Sequence, residues 1–300
     1  IMRIRDTGLL EHDTARATRG FTLLAPLGSE EIYLLDMAGK VVHQWHIPRR
    51  SGNKAILLAN GNLMTAELAA DASDGDRESL RMIVEYDWAG KRVWACEARG
   101  NHHDAVRLAN SNTAFLGFER FTEESKRRLR GGIPGSEMKD GGVLGDYIHE
   151  VAPDGRIVWE WHAQDDLELE RYPIHPLNSR EEFCHANSLF ALPDGGYLVS
   201  FRRNSWLFMI DRATRKVRWE RQDEYWGGQH DAQLLPNGNL LFFANGLYMP
   251  NQGVPHSNVI EIEPATGKEV WSYKGSPAWS FFSPHISGAQ RLWSGNTLIC

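Results

Sequence analysis

Cysteine is scarce in this 300-residue sequence, which contains only Cys96, Cys184 and Cys300. An odd, widely spaced set of three does not predict a disulfide framework, so a reducing compartment is the simpler expectation. No Cys-x-x-Cys pair is present, so a structural zinc site built on thiolates is not expected. Long apolar runs are also absent, and the sequence therefore predicts no membrane span.

An excess of positive charge is missing as well. The formal net charge is −6 and the sequence pI is about 6.1. This balance gives no general attraction for polyanions, so we predict no nucleic-acid partner. Residues 1–20 are polar and charged and do not resemble a secretory signal, which favours a cytoplasmic protein for the sequence as it stands. A trimmed N-terminus would instead favour a periplasmic or secreted protein, so the compartment stays open.

Helical periodicity is nearly absent, and an internal repeat takes its place. One pattern is an apolar strand, a turn, and a second strand ending in tryptophan. Its copies are IYLLDMAGKVVHQW (32–45), MIVEYDWAGKRVW (82–94), YIHEVAPDGRIVW (147–159), LFMIDRATRKVRW (207–219) and VIEIEPATGKEVW (259–271). The alternation predicts half-buried strands, and the Gly- or Asp-rich centres predict hairpin turns.

A second pattern alternates with the first and consists of a strand, a turn of the Pro-Asn-Gly-Asn kind, and another strand. Its copies are AILLANGNLMTA (55–66), DAVRLANSNTAFLG (104–117), ANSLFALPDGGYLVSF (186–201), DAQLLPNGNLLFF (231–243) and GAQRLWSGNTLIC (288–300). One copy of each pattern supplies four antiparallel strands, which is one blade of a propeller. The tryptophans are expected to pack between neighbouring blades.

The repeat predicts an all-β fold, a six-bladed β-propeller of four-stranded antiparallel blades, with seven blades as the fallback. We expect one propeller domain over residues 21–300 and an N-terminal extension over residues 1–20. The last copy of the second pattern has no partner hairpin, so the last blade is expected to be incomplete in the given sequence. Three insertions (119–145, 162–184 and 247–257) are interpreted as rim loops around a funnel mouth.

Histidines recur where the second pattern begins. His103, His185, His230 and His285 open four copies, and Asn53 opens the first, although the chain has only 12 histidines. Because the first strand of each blade lies nearest the propeller axis, we expect the four imidazoles to converge there. Such a ring is typical of group transfer through a histidine or of a bound metal, unless the repeat copies histidine for structural reasons.

Several motifs resemble the arylsulfotransferase family, from about residue 20 to residue 300. They are GFTLLAPLGSEEIYLLDMAGKVVHQW, HHDAVRL, CHANSL, SFRR, GQHDAQLLPNGN and GAQRL. The resemblance implies a sulfotransferase that needs no nucleotide sulfate donor (PAPS) and no cofactor. It would move a sulfuryl group from an aryl sulfate donor to a phenolic acceptor through a sulfohistidine intermediate.

The same resemblance implies roles for individual residues. His230 matches the nucleophile, His185 and Asn187 match a catalytic pair, and His103 matches the remaining catalytic histidine. Arg202 matches the arginine that grips the sulfate oxygens, with Arg203 as the fallback.

The chemistry sets requirements on the nucleophile. A neutral imidazole attacks sulfur if an acceptor holds its other nitrogen. Asp231 is adjacent to His230 but points to the opposite face of a strand, so backbone carbonyls are equally good candidates. The leaving phenolate has a pKa of about 10, and a proton from His185 or His103 would help it depart.

Two other functions stay open at the level of sequence. One is a metal-dependent propeller enzyme, a lyase or oxygenase, with a transition metal held by His103, His185, His230 and His285. The other is a non-catalytic binding propeller whose axis is filled with packed side chains. The expected partner is a small aryl or other anionic molecule, and a homo-oligomer is compatible with the sequence. The aromatic residues Trp226, Trp279, Phe281 and Phe282 would form either an aryl-binding wall or blade packing.

Overall fold

A computed structural model describes residues 8–52, 54–73, 75–250 and 253–300; Asn53 lies outside them. Its strands form sheets that follow one another along the chain. Blade 1 has three strands, β1 (Thr22–Leu24), β2 (Glu31–Leu35) and β3 (Val41–His46). Blade 2 has four, β4 (Ile56–Leu57), β5 (Leu63–Leu68), β6 (Leu80–Tyr86) and β7 (Arg92–Arg99).

Blade 3 contains the first insertion and precedes the second. Its inner strands are β8 (Asn101–Arg107) and β9 (Thr113–Arg120), followed by helix α1 (Glu123–Arg128) and strand β10 (Gly131–Ile133). Its outer strands are β11 (Leu144–Val151) and β12 (Ile157–His162), followed by helix α2 (Ala163–Asp166), a 3₁₀ turn (Leu169–Arg171) and strand β13 (Ile174–Ser179). Strands β10 and β13 pair in parallel, so the two insertions are joined to each other.

Blades 4 and 5 are regular four-stranded sheets. Blade 4 comprises β14 (Ala186–Ala191), β15 (Tyr197–Phe201), β16 (Trp206–Ile210) and β17 (Val217–Gln222), with a 3₁₀ turn (Arg202–Asn204) after β15. A second 3₁₀ turn (Glu224–Trp226) leads to blade 5, which comprises β18 (His230–Leu234), β19 (Leu240–Ala244), β20 (Asn258–Ile262) and β21 (Glu269–Lys274). A last 3₁₀ turn (Ala278–Ser280) precedes the terminal pair, β22 (Ala289–Arg291) and β23 (Thr297–Ile299).

The predicted all-β propeller with mainly four-stranded antiparallel blades is confirmed, but the described residues form five blades rather than six or seven. The inner hairpin that follows blade 5 forms only the terminal pair, and no outer hairpin joins it among the described residues. Strands β1 to β3 do not complete this pair because they form a sheet of their own. The turn of the terminal pair contacts the N-terminal extension instead, since Asn296 Nδ2 donates to Arg16 O at 2.8 Å.

The inner hairpins share one turn. In each, a leucine N–H donates at 2.8 Å to the carbonyl oxygen four residues later; these leucines are Leu58, Leu108, Leu192, Leu235 and Leu292. The common bond sets the register of each inner hairpin next to its turn.

Tryptophans of the outer strands connect successive blades, as predicted. Each indole N–H donates to a backbone carbonyl in the outer turn of the next blade, at 2.7–3.1 Å. The pairs are Trp45–Asp87, Trp94–Pro153, Trp159–Arg212 and Trp219–Pro264. The bond from blade 1 comes from Trp45 because His43 takes the position of the other tryptophans and stacks on Trp88 instead.

The first two insertions are packed parts of the domain. Phe121, Leu129, Tyr172 and Phe183 are buried in one cluster with Trp161 of β12. The insertions therefore extend the core of blades 3 and 4 beyond the sheets. Within the described ranges, no helix is long and apolar enough to cross a bilayer.

Replacing Trp159 with Phe should destabilise the protein. The substitution removes the hydrogen bond to Arg212 O, which is worth about 0.5–1.5 kcal/mol in proteins, while an aromatic ring stays in place. Denaturant unfolding measures the change. Trp293→Phe is the control because Trp293 is 84% exposed, and it should change stability by less than about 0.5 kcal/mol. Equal effects of the two substitutions would contradict the assigned inter-blade bond.

Candidate active site

The axial histidines do not share one register. Counted back from the leucine that closes each inner turn, His103 and His230 lie five residues before Leu108 and Leu235. His185 and His285 lie seven residues before Leu192 and Leu292. Asn187 occupies, in β14, the position that His103 and His230 have in their strands.

Local backbone irregularities re-aim these side chains. Pairing within the inner hairpins shifts between Asn101 and Ala105, between Ala186 and Ser188, and between His230 and Gln233. His103 and His185 have positive φ angles of 56° and 59°. A positive φ is uncommon for a non-glycine residue. Together with the bulges, it turns a side chain out of the regular alternation of the strand.

His103, in β8, and His185, directly before β14, lie close together where the innermost strands of blades 3 and 4 begin. Their ring centroids are 4.9 Å apart, with the planes at 82°. The Nδ1 atoms of His103 and His102 lie 2.8 Å apart, and His102 stacks on Phe118 with centroids 3.7 Å apart. Burial lowers the pKa of His103 well below its usual value, and the neighbouring charges of His185, His102, His230 and Arg202 add to this. His103 is therefore a neutral imidazole at pH 7.

His185 is held by a carboxylate that the sequence did not single out. Its Nδ1 contacts Oε2 of Glu182, which is only 2% exposed. Glu182 also forms an ion pair with Arg203, whose Nε lies 3.2 Å away, and accepts a hydrogen bond from Arg77. Burial would raise the pKa of Glu182, but its contacts with His185, Arg203 and Arg77 outweigh burial and lower it. The ionised carboxylate fixes the proton of His185 on Nδ1. The buried Nε2 has no hydrogen-bond partner.

His230 is oriented from behind by two oxygen atoms. Its Nδ1 lies 2.9 Å from Gly228 O and 2.7 Å from Asn245 Oδ1. The orientation of the Asn245 amide is fixed because its Nδ2 donates to Ser283 O at 2.9 Å and to Ile286 O at 2.8 Å. Both neighbours of Nδ1 are thus acceptors, so the proton lies on Nδ1 and the lone pair on Nε2.

The charge state of His230 suits a nucleophile. Burial lowers the pKa of His230 to about 4, with contributions from the charges of Arg202 and His185, while the hydrogen bond to Asn245 opposes the shift. The imidazole is therefore neutral at pH 7. Its Nε2 accepts a bond of 3.3 Å from the backbone N–H of Ile286.

Asp231 does not hold His230. Its Oδ2 accepts from the backbone N–H of Ala289 at 3.1 Å, and its Oδ1 lies 2.9 Å from Lys54 Nζ. Asp104 acts alike, accepting from Leu189 N at 3.1 Å and lying 3.7 Å from the same ammonium group. The charge of Asp104 is the largest influence that raises the pKa of Lys54. Because the two carboxylates belong to blades 3 and 5, the ammonium group lies at the centre of the ring.

Arg202 connects the histidines to a cavity of about 130 Å³. Its guanidinium influences the pKa of His103 and His230, and its Nε is buried without a hydrogen-bond partner. The cavity is lined by Arg202, Arg203, His175, Asn178, Tyr248 and Gly228, among others, but not by the histidines of the axis. Ring stacking joins His175 and Tyr248, whose centroids are 5.3 Å apart.

Not every predicted residue joins this cluster. The side chain of His285 is exposed, and among the described residues it makes no ring contact with His103, His185 or His230. Trp226 is buried against Phe242 in the core of blade 5, which is blade packing. Trp279 and Phe282 are exposed and do not line the cavity.

The axial histidines also fail to form a compact ligand set. In the described part of the chain, one group of three residues offers ligand atoms within 4.8 Å of one another. It consists of His149, Glu160 and His162 in the outer strands of blade 3.

Comparison with known proteins gives the chain a family. The sequence model of the arylsulfotransferase (ASST) family matches residues 11–226. This chain belongs to the arylsulfotransferase family. The match includes His103, His185, Asn187 and Arg202 and ends before His230. Membership of this family supports a sulfotransferase-type activity. No curated protein matches the chain.

Solved structures share its fold. A protein of unknown function from Bacteroides caccae is 15% identical, with a TM-score of 0.52 over 86% of this chain and 79% of that one. A streptogramin B lyase is 11% identical, with a TM-score of 0.50 over 93% of this chain and 78% of the lyase. At such identities the likeness concerns the propeller architecture alone.

The depressed pKa of His230 should make stability depend on pH. The unfolded chain takes up this proton near pH 6.5, whereas the folded protein does so near pH 4, so stability should fall as the pH falls through that window. In denaturant unfolding, wild type should lose more stability across the window than His230→Gln. Trp293→Phe, which alters an exposed side chain without a titrating group, should keep the wild-type slope. Parallel curves for wild type and His230→Gln would contradict the assignment.

Proposed function

We propose that this member of the arylsulfotransferase family transfers a sulfuryl group from an aryl sulfate to a phenolic acceptor, without a nucleotide sulfate donor, through His230. The observation that carries the proposal is the fixed tautomer of His230. Its Nδ1–H faces Gly228 O and Asn245 Oδ1, which leaves the lone pair on Nε2, where the long contact of 3.3 Å from Ile286 N–H would give way to the sulfur atom. This is the arrangement that a neutral imidazole nucleophile requires.

In the first half-reaction, Nε2 of His230 forms a bond to sulfur while the bond from sulfur to the aryl oxygen breaks. The attacking imidazole gains positive charge, which its Nδ1–H shares with Gly228 O and Asn245 Oδ1. The departing aryl oxygen takes a proton from Nε2 of His185, which must be in its imidazolium form for this step; the ionised Glu182 at Nδ1 offsets that charge. In the second half-reaction, the phenolic acceptor returns a proton to the same histidine as its oxygen attacks sulfur, and His230 is released.

Arg202 and Asn187 are the groups we assign to the oxygens of the sulfuryl group. Sulfuryl transfer resembles phosphoryl transfer, in which catalysis is mostly positioning and charge stabilisation. The buried Nε of Arg202 has no partner within the described protein, and buried polar groups normally have one. Asn187 gives one N–H of Nδ2 to Gln229 O at 2.8 Å, and its second N–H is the donor assigned here.

The axial metal alternative has less support than sulfuryl transfer. His285 is exposed, and in the described part of the chain the ligand atoms of His103, His185 and His230 do not come within 4.8 Å of one another as a group. The binding-propeller alternative predicts an axis filled by side chains, and Lys54 with Asp104 and Asp231 does occupy the centre. It leaves the unpartnered polar atoms of Arg202 and His185 without a role.

His230→Ala should abolish both transfer and covalent modification. Incubation of wild type with an aryl sulfate alone should add one sulfuryl group, read by mass spectrometry at neutral to alkaline pH, and the variant should add none. His46→Ala, which changes an exposed imidazole of blade 1, should behave as wild type. Undiminished transfer by metal-free His230→Ala would rule out the proposed nucleophile.

Glu182→Gln should lower kcat by about 10²-fold or more, the lower range of what a positioned proton donor contributes. The amide keeps the size of the side chain but loses the charge that fixes His185 Nδ1–H. The pH profile of kcat should shift with it, which loss of packing alone would not cause. Glu181→Gln is the matched control because Glu181 is half-exposed and pairs with the same Arg77. Similar kinetics of both variants would contradict the positioning role of Glu182.

A further inference from the structure

A second histidine cluster lies on the outer strands of blade 3, away from the axis. On β11 and β12, His149 lies directly opposite Glu160, and His162 lies opposite Tyr147. Because side chains alternate along a strand, His149, Glu160 and His162 share one face of the sheet. Glu119 of β9, which lies opposite Gly145, is on the same face.

The ligand atoms of this cluster are close together. Those of His149, Glu160 and His162 all lie within 4.8 Å of one another. His162 Nε2 is 3.7 Å from Glu160 Oε2, and the two imidazole centroids are 5.6 Å apart. The Nε2 atom of His149 is buried and has no hydrogen-bond partner among the described residues.

Glu119 supports the cluster from behind. Its Oε2 lies 2.9 Å from Nδ1 of His162, so this nitrogen carries a proton and Nε2 faces Glu160. A carboxylate on the far nitrogen of an imidazole is the usual outer support of a metal-bound histidine, because it fixes the tautomer and the ring orientation.

An ion-pair network without a metal explains only part of this arrangement. It accounts for His162 between Glu119 and Glu160. It gives no partner to His149 Nε2, and a buried polar atom without a partner is costly.

We propose that His149, Glu160 and His162 bind a divalent first-row metal ion, with zinc as the chemically best match. Two imidazoles and one carboxylate form a zinc ligand set that leaves a fourth position for water or a small ligand. Ligand atoms at about 2.0–2.2 Å from zinc in a tetrahedron lie roughly 3.3–3.6 Å apart. The side chain of Glu160 is 52% exposed, so it can swing inward by the difference of about an ångström.

The ion would connect the two outer strands of blade 3. Glu119 would link this pair to β9 through the proton on His162 Nδ1. The site does not depend on the axial chemistry, since the axial histidines stand in blades 3 to 5 on the innermost strands.

Zinc titration of the metal-free full chain, in competition with a chromophoric chelator, tests the proposal. We expect one tight equivalent in wild type and its loss in Glu160→Gln, a change at an exposed position that leaves folding intact. His149→Gln should lose the same equivalent. Glu119→Gln should weaken binding by about 10–100-fold, the usual cost of losing such an outer partner. Bound zinc should also raise the thermal unfolding temperature of wild type but not of Glu160→Gln.

Two control variants locate the ion. His46→Gln removes an imidazole that lies beside two carboxylates, Glu30 and Glu31, but lacks a second imidazole. His185→Gln removes an axial histidine. Both should keep the tight equivalent. Absence of a tight equivalent in wild type would overturn the proposal, as would an equivalent that survives Glu160→Gln and disappears in His185→Gln.

Discussion

The centre of the molecule depends on one contact that links the inner strands of blades 3, 4 and 5 and the terminal pair in succession. Asp104, Ser188 and Asp231 occupy equivalent positions, and each accepts the backbone N–H of the following blade's inner strand, from Leu189, Ala232 and Ala289 respectively. These amides are buried where no further strand can pair with them, so a side-chain acceptor is required. The carboxylates beside His103 and His230 therefore connect neighbouring blades. Other groups orient the histidines.

Much of the fold is readable from the sequence because each blade repeats its own signals. The inner turns, the alternating strands and the tryptophan bonds all follow from local patterns that the structure reproduces. The number of blades is not local. It depends on whether the hairpin after Gly288 acquires outer strands, and counting pattern copies cannot decide a pairing between distant segments. Residues 162–184 are likewise more ordered than a rim-loop interpretation suggests, since Tyr172 and Phe183 are buried.

The candidate site was partly predictable for the same reason. His103, His185 and His230 open inner strands, a place that is visible in the repeat. Asn245 and Glu182 were missed because neither belongs to a repeated position. Asn245 reaches His230 from the end of β19, and Glu182 reaches His185 from an insertion. The cluster around His149 did leave a signal, since histidine and glutamate alternate on paired outer strands, but these residues lie away from the axial positions that the repeat marks.

The axial histidines lie five or seven residues before the leucine of their turn, and this difference breaks the rotational symmetry of the propeller repeat. A perfect repeat would surround a bound ligand with equivalent groups and would favour no single orientation of that ligand. A displacement of two residues spans about 6.6–6.8 Å along a strand, more than the length of a sulfuryl group. His185 therefore enters the centre at a different depth from His230. That difference makes the two ends of the axial site unequal. In the proposed transfer, the donor and the acceptor would therefore meet different surroundings although they share one opening.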